Sequence, residues 1–422
     1  MLTCQGHVAL GAGLGCEASR FENAYMVQPF VGAQGFDRSG HEERVEKDAL
    51  RAEGKQVIRQ RRRHFLFVFK AVPVYPRLPT MIYRVVSFLF FIAALASAQE
   101  KAELLSVQKI WDKGKHNAFT DLARFKNLFF CCFREADEHV GGDGKIRIMI
   151  SSTGENWVDY AEVAEAGTDL RDPKFSVTPD GKRLYLLCGG SIYGGTKELK
   201  GRRPRFSSSS DGKVWTPTQK LLAEGDWLWR CTVNPGDQKF YGVSYNAYPT
   251  TGGPKSEPEW SLKSYTSLDG SVWQLSSIMK VPGQPNETTL RFLKDGSAMA
   301  LVRREAADKR GWIGQAAAPY RDWKWTPLTT VVQGQNFIEL PDGSLVAGSR
   351  GLGATPGPHM VLFKMTPNGL TPLLELPSGG DCSYPGMLWH DGHLWVSYYS
   401  SHEGKASIYL AKVKLPWVKG SS

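Results

Sequence analysis

The sequence is poor in cysteine and shows no metal-ligand spacing. Only seven cysteines occur in 422 residues, and neither they nor His139, His393 and His402 have the spacing of a metal site. We therefore expect no metal and no other cofactor. A chain of this length can bury a core of its own, which excludes a small disulfide scaffold. Five cysteines follow residue 98, and their odd number leaves at least one thiol unpaired within the chain: Cys131, Cys132, Cys188, Cys231 and Cys382.

Basic residues are not clustered with aromatic ones, so the sequence lacks the footprint of a nucleic-acid-binding protein. The formal net charge is +10, but about half of it falls in the first 84 residues. The remaining charge is mild and weakly favours an anionic substrate.

The sequence also lacks an apolar run that would comfortably span a membrane. Residues 81–98, MIYRVVSFLFFIAALASA, combine Arg84, a short apolar core and a final Ala-Ser-Ala, which is typical of a secretory signal peptide. We therefore expect a secreted or periplasmic protein that starts at Met81 and has no membrane span in its mature form. Residues 1–80 are then an over-translated or disordered leader. The alternative is a cytoplasmic tail before an uncleaved anchor.

Helical periodicity is nearly absent, and a repeated hairpin pattern takes its place. Each copy is an apolar strand, a tight turn and a second apolar strand, and copies recur at roughly 50-residue intervals, the size of a propeller blade. The sequence predicts an all-β, six-bladed β-propeller over residues 99–422. A β-helix would need a shorter period, and a pair of β-sandwiches would not repeat its turn. The six predicted turns are Lys126-Asn127, Pro179-Asp180-Gly181, Asn234-Pro235-Gly236-Asp237, Lys294-Asp295-Gly296, Pro341-Asp342-Gly343 and His390-Asp391-Gly392.

A second pattern, Ser-x-Asp-Gly-x-x-Trp, alternates with these hairpins. It occurs in full at 209–215 and 267–273, with a variant at 151–157 and a degenerate copy at 319–323. Asp caps the turn, Gly supplies positive φ, and Trp packs back between strands. The pattern therefore predicts structural turns.

These turns resemble the Asp-box repeats of the sialidase (neuraminidase) superfamily, and the resemblance extends over residues 115–415. The sequence is similar in this respect to bacterial exo-α-sialidase-like proteins with such repeats. The resemblance implies a six-bladed propeller with its site at the central axis, and it gives the Asp boxes no part in catalysis.

Three segments carry the site in this resemblance. Tyr384, on a Cys-Ser-Tyr-Pro segment before the hairpin of 387–399, resembles the nucleophile of sialidases. In one sialidase segment a glutamate starts a strand and an arginine ends the next strand. Glu287 falls on the position of that glutamate, and Arg303 or Arg304 falls on the position of that arginine. Arg350 ends a similar hairpin.

In sialidases a loop of the first blade supplies the acid/base aspartate. Asp143 lies at the corresponding position, and Asp137 and Asp121 are alternatives. Sialidases also have an Arg-Ile-Pro element early in this blade, and it is absent from residues 118–124. Other arginines are candidates to hold the substrate carboxylate in its place: Arg124, Arg134 and Arg171.

The resemblance implies an exo-glycosidase that hydrolyses a terminal sialic acid or related 2-keto acid sugar from a glycan. A carboxylate nucleophile would be repelled by the carboxylate at the anomeric carbon of such a sugar. A neutral phenol avoids this repulsion but needs a base, which Glu287 would provide. Two alternatives remain, a non-catalytic carbohydrate-binding β-propeller and a scaffold for protein assembly.

Overall fold

The computed structural model describes residues 101–194, 197–246, 260–352 and 356–419. The predicted leader at 1–80 and the predicted signal peptide at 81–98 lie outside these residues. The regular elements in the described ranges are 24 β-strands. No described segment forms a helix long and apolar enough to cross a membrane.

The strands form six four-stranded antiparallel sheets, which we number as blades 1 to 6 in chain order. Blade 1 contains β2 (His116–Phe125), β3 (Leu128–Ala136), β4 (Lys145–Ser151) and β5 (Val158–Val163). Blade 2 contains β6 (Asp169–Val177), β7 (Leu184–Tyr193), β8 (Leu199–Ser209) and β9 (Gln219–Lys220). Blade 3 contains β10 (Trp227–Val233), β11 (Phe240–Asn246), β12 (Ser261–Ser267) and β13 (Gln274–Met279).

The second half of the ring repeats this order. Blade 4 contains β14 (Pro285–Phe292), β15 (Ala298–Arg304), β16 (Arg310–Ala316) and β17 (Lys324–Val331). Blade 5 contains β18 (Gln333–Glu339), β19 (Leu345–Leu352), β20 (Pro358–Thr366) and β21 (Gly369–Glu375). Blade 6 contains β22 (Cys382–His390), β23 (His393–Ser400), β24 (Ser407–Lys414) and, as its outer strand, β1 (Glu103–Trp111).

The ring closes where the first described strand joins the last blade. Strand β1 pairs antiparallel with β24, from Glu103 opposite Lys414 to Trp111 opposite Ile408. This pairing covers the edge that β24 would otherwise expose. The first strand of each blade contacts the first strands of its neighbours, so these six strands form the wall of the hub.

Apolar clusters fill the spaces between blades. Between blades 1 and 2, for example, Phe130 and Ile148 pack with Leu170 and Leu186, and all four are almost fully buried. The alternation of apolar residues along the strands supplies these faces. All five cysteines of the described chain are free and buried in such surroundings.

The six predicted hairpin turns are confirmed, because each joins the first two strands of one blade. Five of the six turns contain predicted residues with the positive φ angles that tight hairpins require. In blade 3 the positive φ falls on Gln238, just after the predicted turn. Lys126 and Asn127 have φ of 48° and 63°, and Asp391 and Gly392 have φ of 50° and 70°. The prediction of an all-β, six-bladed propeller is therefore correct.

The Ser-x-Asp-Gly-x-x-Trp segments lie between the third and fourth strands of blades 1 to 3 and share one hydrogen-bond pattern. At 267–273, the hydroxyl of Ser267 accepts from the backbone N–H of Gly270 at 2.9 Å, and the Trp273 indole N–H donates to the Gly270 carbonyl at 2.8 Å. Asp269 accepts backbone hydrogen bonds from Ser271 and Val272. These side chains fix the turn, and no other role for them is needed.

Replacing Gly270 by alanine is expected to destabilise the propeller more than the same change at Gly181. Both glycines have positive φ, 78° and 68°, which costs an L-residue about 1–2 kcal/mol. A Cβ at Gly270 would also lie 2.6 Å from the ring of Tyr185, whereas a Cβ at Gly181 meets nothing within 4 Å. Urea unfolding of the two variants measures the difference. Equal losses would show that the neighbouring blade yields to the added methyl group.

Candidate active site

A bulge at the same level of every first strand shapes the hub. Each of the six innermost strands breaks its register with the second strand of its blade near its N-terminal end. A bulge leaves residues unpaired and turns their side chains away from the ladder. The residues at these breaks are Phe119-Thr120, Asp172-Pro173, Trp229-Arg230, Asn286-Glu287, Gly334-Gln335 and Tyr384-Pro385.

Two of these bulges bring Tyr384 and Glu287 together. The Tyr384 hydroxyl donates to Glu287 Oε1 at 2.7 Å, and the other oxygen of Glu287 accepts from the backbone N–H of Gly334 at 3.1 Å. Both side chains are buried, with residue exposures of 9% for Tyr384 and 5% for Glu287. Gly334 must be a glycine, since its φ is 55° and a Cβ would lie 2.7 Å from the Tyr384 ring.

Arg303, near the end of β15, completes this triad. Its Nη1 donates to Glu287 Oε1 at 2.9 Å and to the Tyr384 hydroxyl at 3.2 Å, and its Nη2 lies 2.6 Å from Glu305 Oε1. Arg304 is turned to the other side of the strand, where it donates to the carbonyl of Pro282 at 2.8 Å. The sequence left Arg303 and Arg304 as alternatives, and Arg303 is the one that contacts the Tyr384 hydroxyl.

The electrostatics keep the phenol protonated at rest. Burial and the nearby Glu287 carboxylate raise the pKa of Tyr384 well above its usual value, while Arg303 opposes this rise. Burial would lower the pKa of Arg303, but the charges of Glu287 and Tyr384 raise it well above normal. The arrangement is a phenol that donates to a carboxylate, with a permanent cation beside both groups.

Arg350 on β19 lies beside the segment that carries Tyr384. Its Nε donates to the carbonyl of Cys382 at 2.8 Å, and its Nη2 lies 3.4 Å from the Tyr399 hydroxyl and 3.6 Å from Asp381 Oδ1. Its side chain is 23% exposed. Arg303 on blade 4 thus contacts Tyr384 directly, whereas Arg350 on the adjacent blade 5 contacts the neighbouring Tyr399.

Phe119 stands at the first-blade bulge, in the region where the arginine of Arg-Ile-Pro was missing. Its buried ring contacts Tyr384 with 5.0 Å between centroids. The guanidinium of Arg171 lies 5.0 Å from the centre of the Phe119 ring, a cation–π contact. Of the three arginines predicted to replace the arginine of Arg-Ile-Pro, Arg171 is the one that lies beside the hub.

The other two substitute arginines are not brought to Tyr384. The side chain of Arg134 is 0% exposed and pairs with Asp169 at 2.7 Å, and it also donates to the carbonyls of Glu138 and Gly141. It therefore anchors the loop between β3 and β4. Arg124 lies over the Phe129 ring at 4.5 Å, near the β2–β3 turn at the opposite end of the first strand. Neither position suits binding of a substrate next to the phenol.

The three candidate aspartates are also placed apart from the triad. Asp143 is exposed and accepts from the backbone N–H of Gly167 at 3.0 Å. Asp137 is exposed and lies 3.3 Å from Lys115. Asp121 is buried and accepts two hydrogen bonds from Arg230, at 3.0 and 2.9 Å. None of the three has a hydrogen bond to Tyr384, Glu287 or Arg303 among those described.

Sequence reasoning missed a buried lysine that lies beside the phenol in the hub. Lys174 is 3% exposed and lies 4.8 Å from the centre of the Trp229 ring and 5.9 Å from that of Tyr384. Burial lowers the pKa of Lys174, although the charge of Asp121 opposes this effect. Trp229 is 1% exposed, so it packs the floor of the site. The periodic apolar pattern gives no sign of a site here, since Trp229 lies at a bulge and Lys174 directly follows one.

A histidine–aspartate cluster at the rim was also missed. His139 Nδ1 lies 2.8 Å and His116 Nε2 lies 3.3 Å from Asp381 Oδ2, and the Tyr399 hydroxyl donates to Oδ1 at 2.7 Å. Ligand atoms of His116, His139 and Asp381 all lie within 4.8 Å of one another. The sequence shows no metal spacing here because the three residues are widely separated along the chain.

The fold defines a class, the six-bladed β-propellers. No protein-family model matches the sequence, and no curated protein matches it significantly. Solved structures do match. A Dyadobacter fermentans protein of unknown function superposes with a TM-score of 0.64 at 16% identity, over 74% of this chain and 99% of that chain.

Two sialidases share the fold at lower similarity. Trypanosoma rangeli sialidase, solved with the inhibitor DANA, gives a TM-score of 0.55 at 12% identity, over 74% of this chain but only 58% of that chain. The NanB sialidase of Streptococcus pneumoniae gives 0.53 at 10% identity, over 76% of this chain and 71% of that chain. At such identities the likeness concerns the fold alone.

Proposed function

We propose that this protein is an exo-glycosidase of the sialidase type, which hydrolyses a terminal sialic acid or related 2-keto acid sugar from a glycan. The observation that carries the proposal is the hydrogen-bonded triad at the hub. The Tyr384 phenol donates to Glu287 at 2.7 Å, and Arg303 donates to both groups. From the predicted signal peptide at 81–98, we also propose that it acts outside the cytoplasm.

In this mechanism Tyr384 is the nucleophile and Glu287 its base. As the phenol oxygen attacks the anomeric carbon, its proton passes to Glu287 along the existing hydrogen bond. Such tyrosine nucleophiles are exceptions to the two-carboxylate scheme of glycoside hydrolysis. Arg303 holds Glu287 and Tyr384 in line and stabilises the negative charge on the oxygen as the proton leaves. Water then releases the sugar, with net retention of configuration.

The substrate carboxylate is proposed to bind between Arg303 and Arg350. The planar guanidinium group suits a carboxylate because it can donate two parallel hydrogen bonds. Both side chains are partly exposed, at 15% and 23%. Phe119 fills the first-blade position, so a third arginine is not available there, and Arg171 would act only from above the Phe119 ring.

Incubation with a panel of fluorogenic glycosides tests the proposal. We expect release from sialosides or other 2-keto acid glycosides and none from neutral glycosides. Absence of turnover across all acidic glycosides would contradict the proposed activity.

Replacing Arg303 by methionine is expected to lower kcat/KM for the acidic glycoside by about 10²-fold, since truncating one partner of a buried charge pair typically costs about 2–5 kcal/mol. The matched control is R304M on the same strand, whose side chain points away from the phenol. R304M should keep kcat/KM close to that of the wild type. Circular dichroism confirms that both variants are folded, and equal losses in the two would contradict the proposed role of Arg303.

A non-catalytic carbohydrate-binding propeller is the second candidate, favoured by Phe119 in place of an arginine. It predicts that acidic glycans bind the hub without turnover. Calorimetric titration with free sialic acid, alongside the fluorogenic assay, distinguishes the two candidates.

A further inference from the structure

We propose that His139, oriented by Asp381, is the general acid and base that protonates the leaving group and then activates water. The inference rests on the proposed glycosidase function and replaces the aspartate expected from the sequence. It gives the reaction a proton donor from the loop between β3 and β4, residues 137–144.

The position of His139 fits this role. Its ring packs edge-on against Phe119 with 5.3 Å between centroids, and Phe119 in turn contacts Tyr384 at 5.0 Å. One aromatic ring therefore separates the imidazole from the phenol. The His139 side chain is 47% exposed, so it stands at the open rim of the hub, where a departing group would leave. Asp143, in the same loop, is instead tied to the backbone of Gly167.

The contacts of His139 select one nitrogen for chemistry. Nδ1 faces Asp381 Oδ2 at 2.8 Å, and a carboxylate at Nδ1 orients the ring and stabilises its protonated form. Nε2 is then the nitrogen that can give or take a proton. Asp381 itself is held in place, because the Tyr399 hydroxyl donates to its other oxygen at 2.7 Å.

Asp381 remains ionised under working conditions. Burial raises the pKa of its carboxyl group, but hydrogen bonds from His116 and His139 outweigh this effect and hold the pKa well below its usual range. His116 is a poor candidate for the acid, since its side chain is only 13% exposed and burial lowers its pKa. The charged and titratable groups around His139 are Asp381, His116, Tyr399, Arg171 and Glu138.

A bound cation fits this cluster less well than a proton relay. The cluster has a single carboxylate, and Arg350 Nη2 already lies 3.6 Å from its Oδ1. A metal-ligating histidine usually donates its other ring N–H to an acceptor. His116 Nδ1 is buried with no hydrogen-bond partner among the described residues. An arginine beside the carboxylate and a histidine without this second partner both disfavour a metal ion.

The proposed steps balance as follows. In the first step protonated His139 gives its Nε2 proton to the glycosidic oxygen while the bond from that oxygen to the anomeric carbon breaks. Tyr384 forms the new bond to this carbon, and its proton moves to Glu287. In the second step neutral His139 takes a proton from water, the water oxygen bonds to the anomeric carbon, and Tyr384 leaves and regains its proton from Glu287.

The test compares two leaving groups in H139A. A general acid matters most for a poor leaving group, so kcat/KM, which reports the step in which that group departs, should fall by about 10²–10⁴-fold for an alkyl-linked sialoside. For a nitrophenyl sialoside, whose leaving group needs no proton, the loss should be much smaller. D381N should show the same leaving-group dependence in weaker form, which a merely structural role for Asp381 would not produce.

H393Q, at the β22–β23 turn, is the control and should behave as the wild type. Equal losses for both leaving groups in H139A, or a leaving-group effect in D143N instead, would overturn the assignment. Loss of activity with a chelator and recovery with added Zn²⁺ would overturn it in favour of a metal site. If the wild type and Y384F are equally inactive on every sialoside, it is the glycosidase function itself that fails.

Discussion

Replacing Tyr384 by phenylalanine is expected to abolish turnover and leave the propeller folded. The change removes the nucleophilic oxygen and the proton that Glu287 would accept at 2.7 Å. Loss of a single general acid or base typically costs about 10²–10⁴ in rate. Loss of the nucleophile removes the covalent route itself, so kcat should fall by at least that much.

The measurement is initial-rate kinetics on a fluorogenic sialoside, combined with intact-mass analysis after treatment with a 2,3-difluoro sialic acid. The wild type should gain the mass of one sugar, located on the peptide that contains Tyr384, and Y384F should gain none. The matched control is Y398F, since the Tyr398 hydroxyl donates to the carbonyl of Pro377 at 2.8 Å and has no hydrogen bond to Glu287 among those of the described residues. Full activity in Y384F would refute the nucleophile.

The propeller could be predicted because its turns are local. Each hairpin has positive φ at one or two positions, and most of these positions are occupied by Gly, Asp or Asn, as at Asp391 and Gly392, with Lys126 and Gln238 as exceptions. Closure of the ring could not be predicted in the same way. Strand β1 carries no turn signal of its own, and it pairs with β24 at the other end of the domain.

The candidate site likewise has residues that local sequence segments indicate and residues that only the folded ring brings together. Tyr384, Glu287 and Arg303 could be proposed from the sequence because each lies in a segment that resembles a sialidase segment. Sequence alone could not show that Arg134 forms a buried ion pair with Asp169 of the next blade, because an arginine is buried only where the fold brings an acidic partner to it. The sequence also could not predict the contact between His139 and Asp381, since it forms only when blades 6 and 1 close the ring.

Removing the carboxylate of Asp121 is expected to give the largest loss of stability among the substitutions considered. Asp121 accepts two hydrogen bonds from Arg230 and one from the backbone N–H of Phe175, all between 2.8 and 3.0 Å. Both side chains of the ion pair are almost fully buried, at 2% and 4% exposure. Breaking a buried pair by removing one partner typically costs about 3–5 kcal/mol, since the other charge stays buried.

Asp121 also counters other cations of the hub. Burial and the Arg230 charge lower the pKa of Arg291, and burial lowers that of Lys174, whereas Asp121 opposes both shifts. In D121A these three positive side chains would lie together in the hub without the carboxylate. Urea unfolding should therefore show a free energy of unfolding lower by about 3–5 kcal/mol.

The double variant D121A/R230M separates the lost charge pair from lost packing. Replacing a buried ion pair by apolar side chains of similar volume is often neutral or stabilising, so the second substitution should restore much of the stability lost in D121A. E103A is the surface control, because Glu103 and Lys414 are 59% and 52% exposed and such pairs contribute about 0–1 kcal/mol. Additive losses in the double variant would mean that Arg230 stabilises the hub by contacts other than its pairing with Asp121.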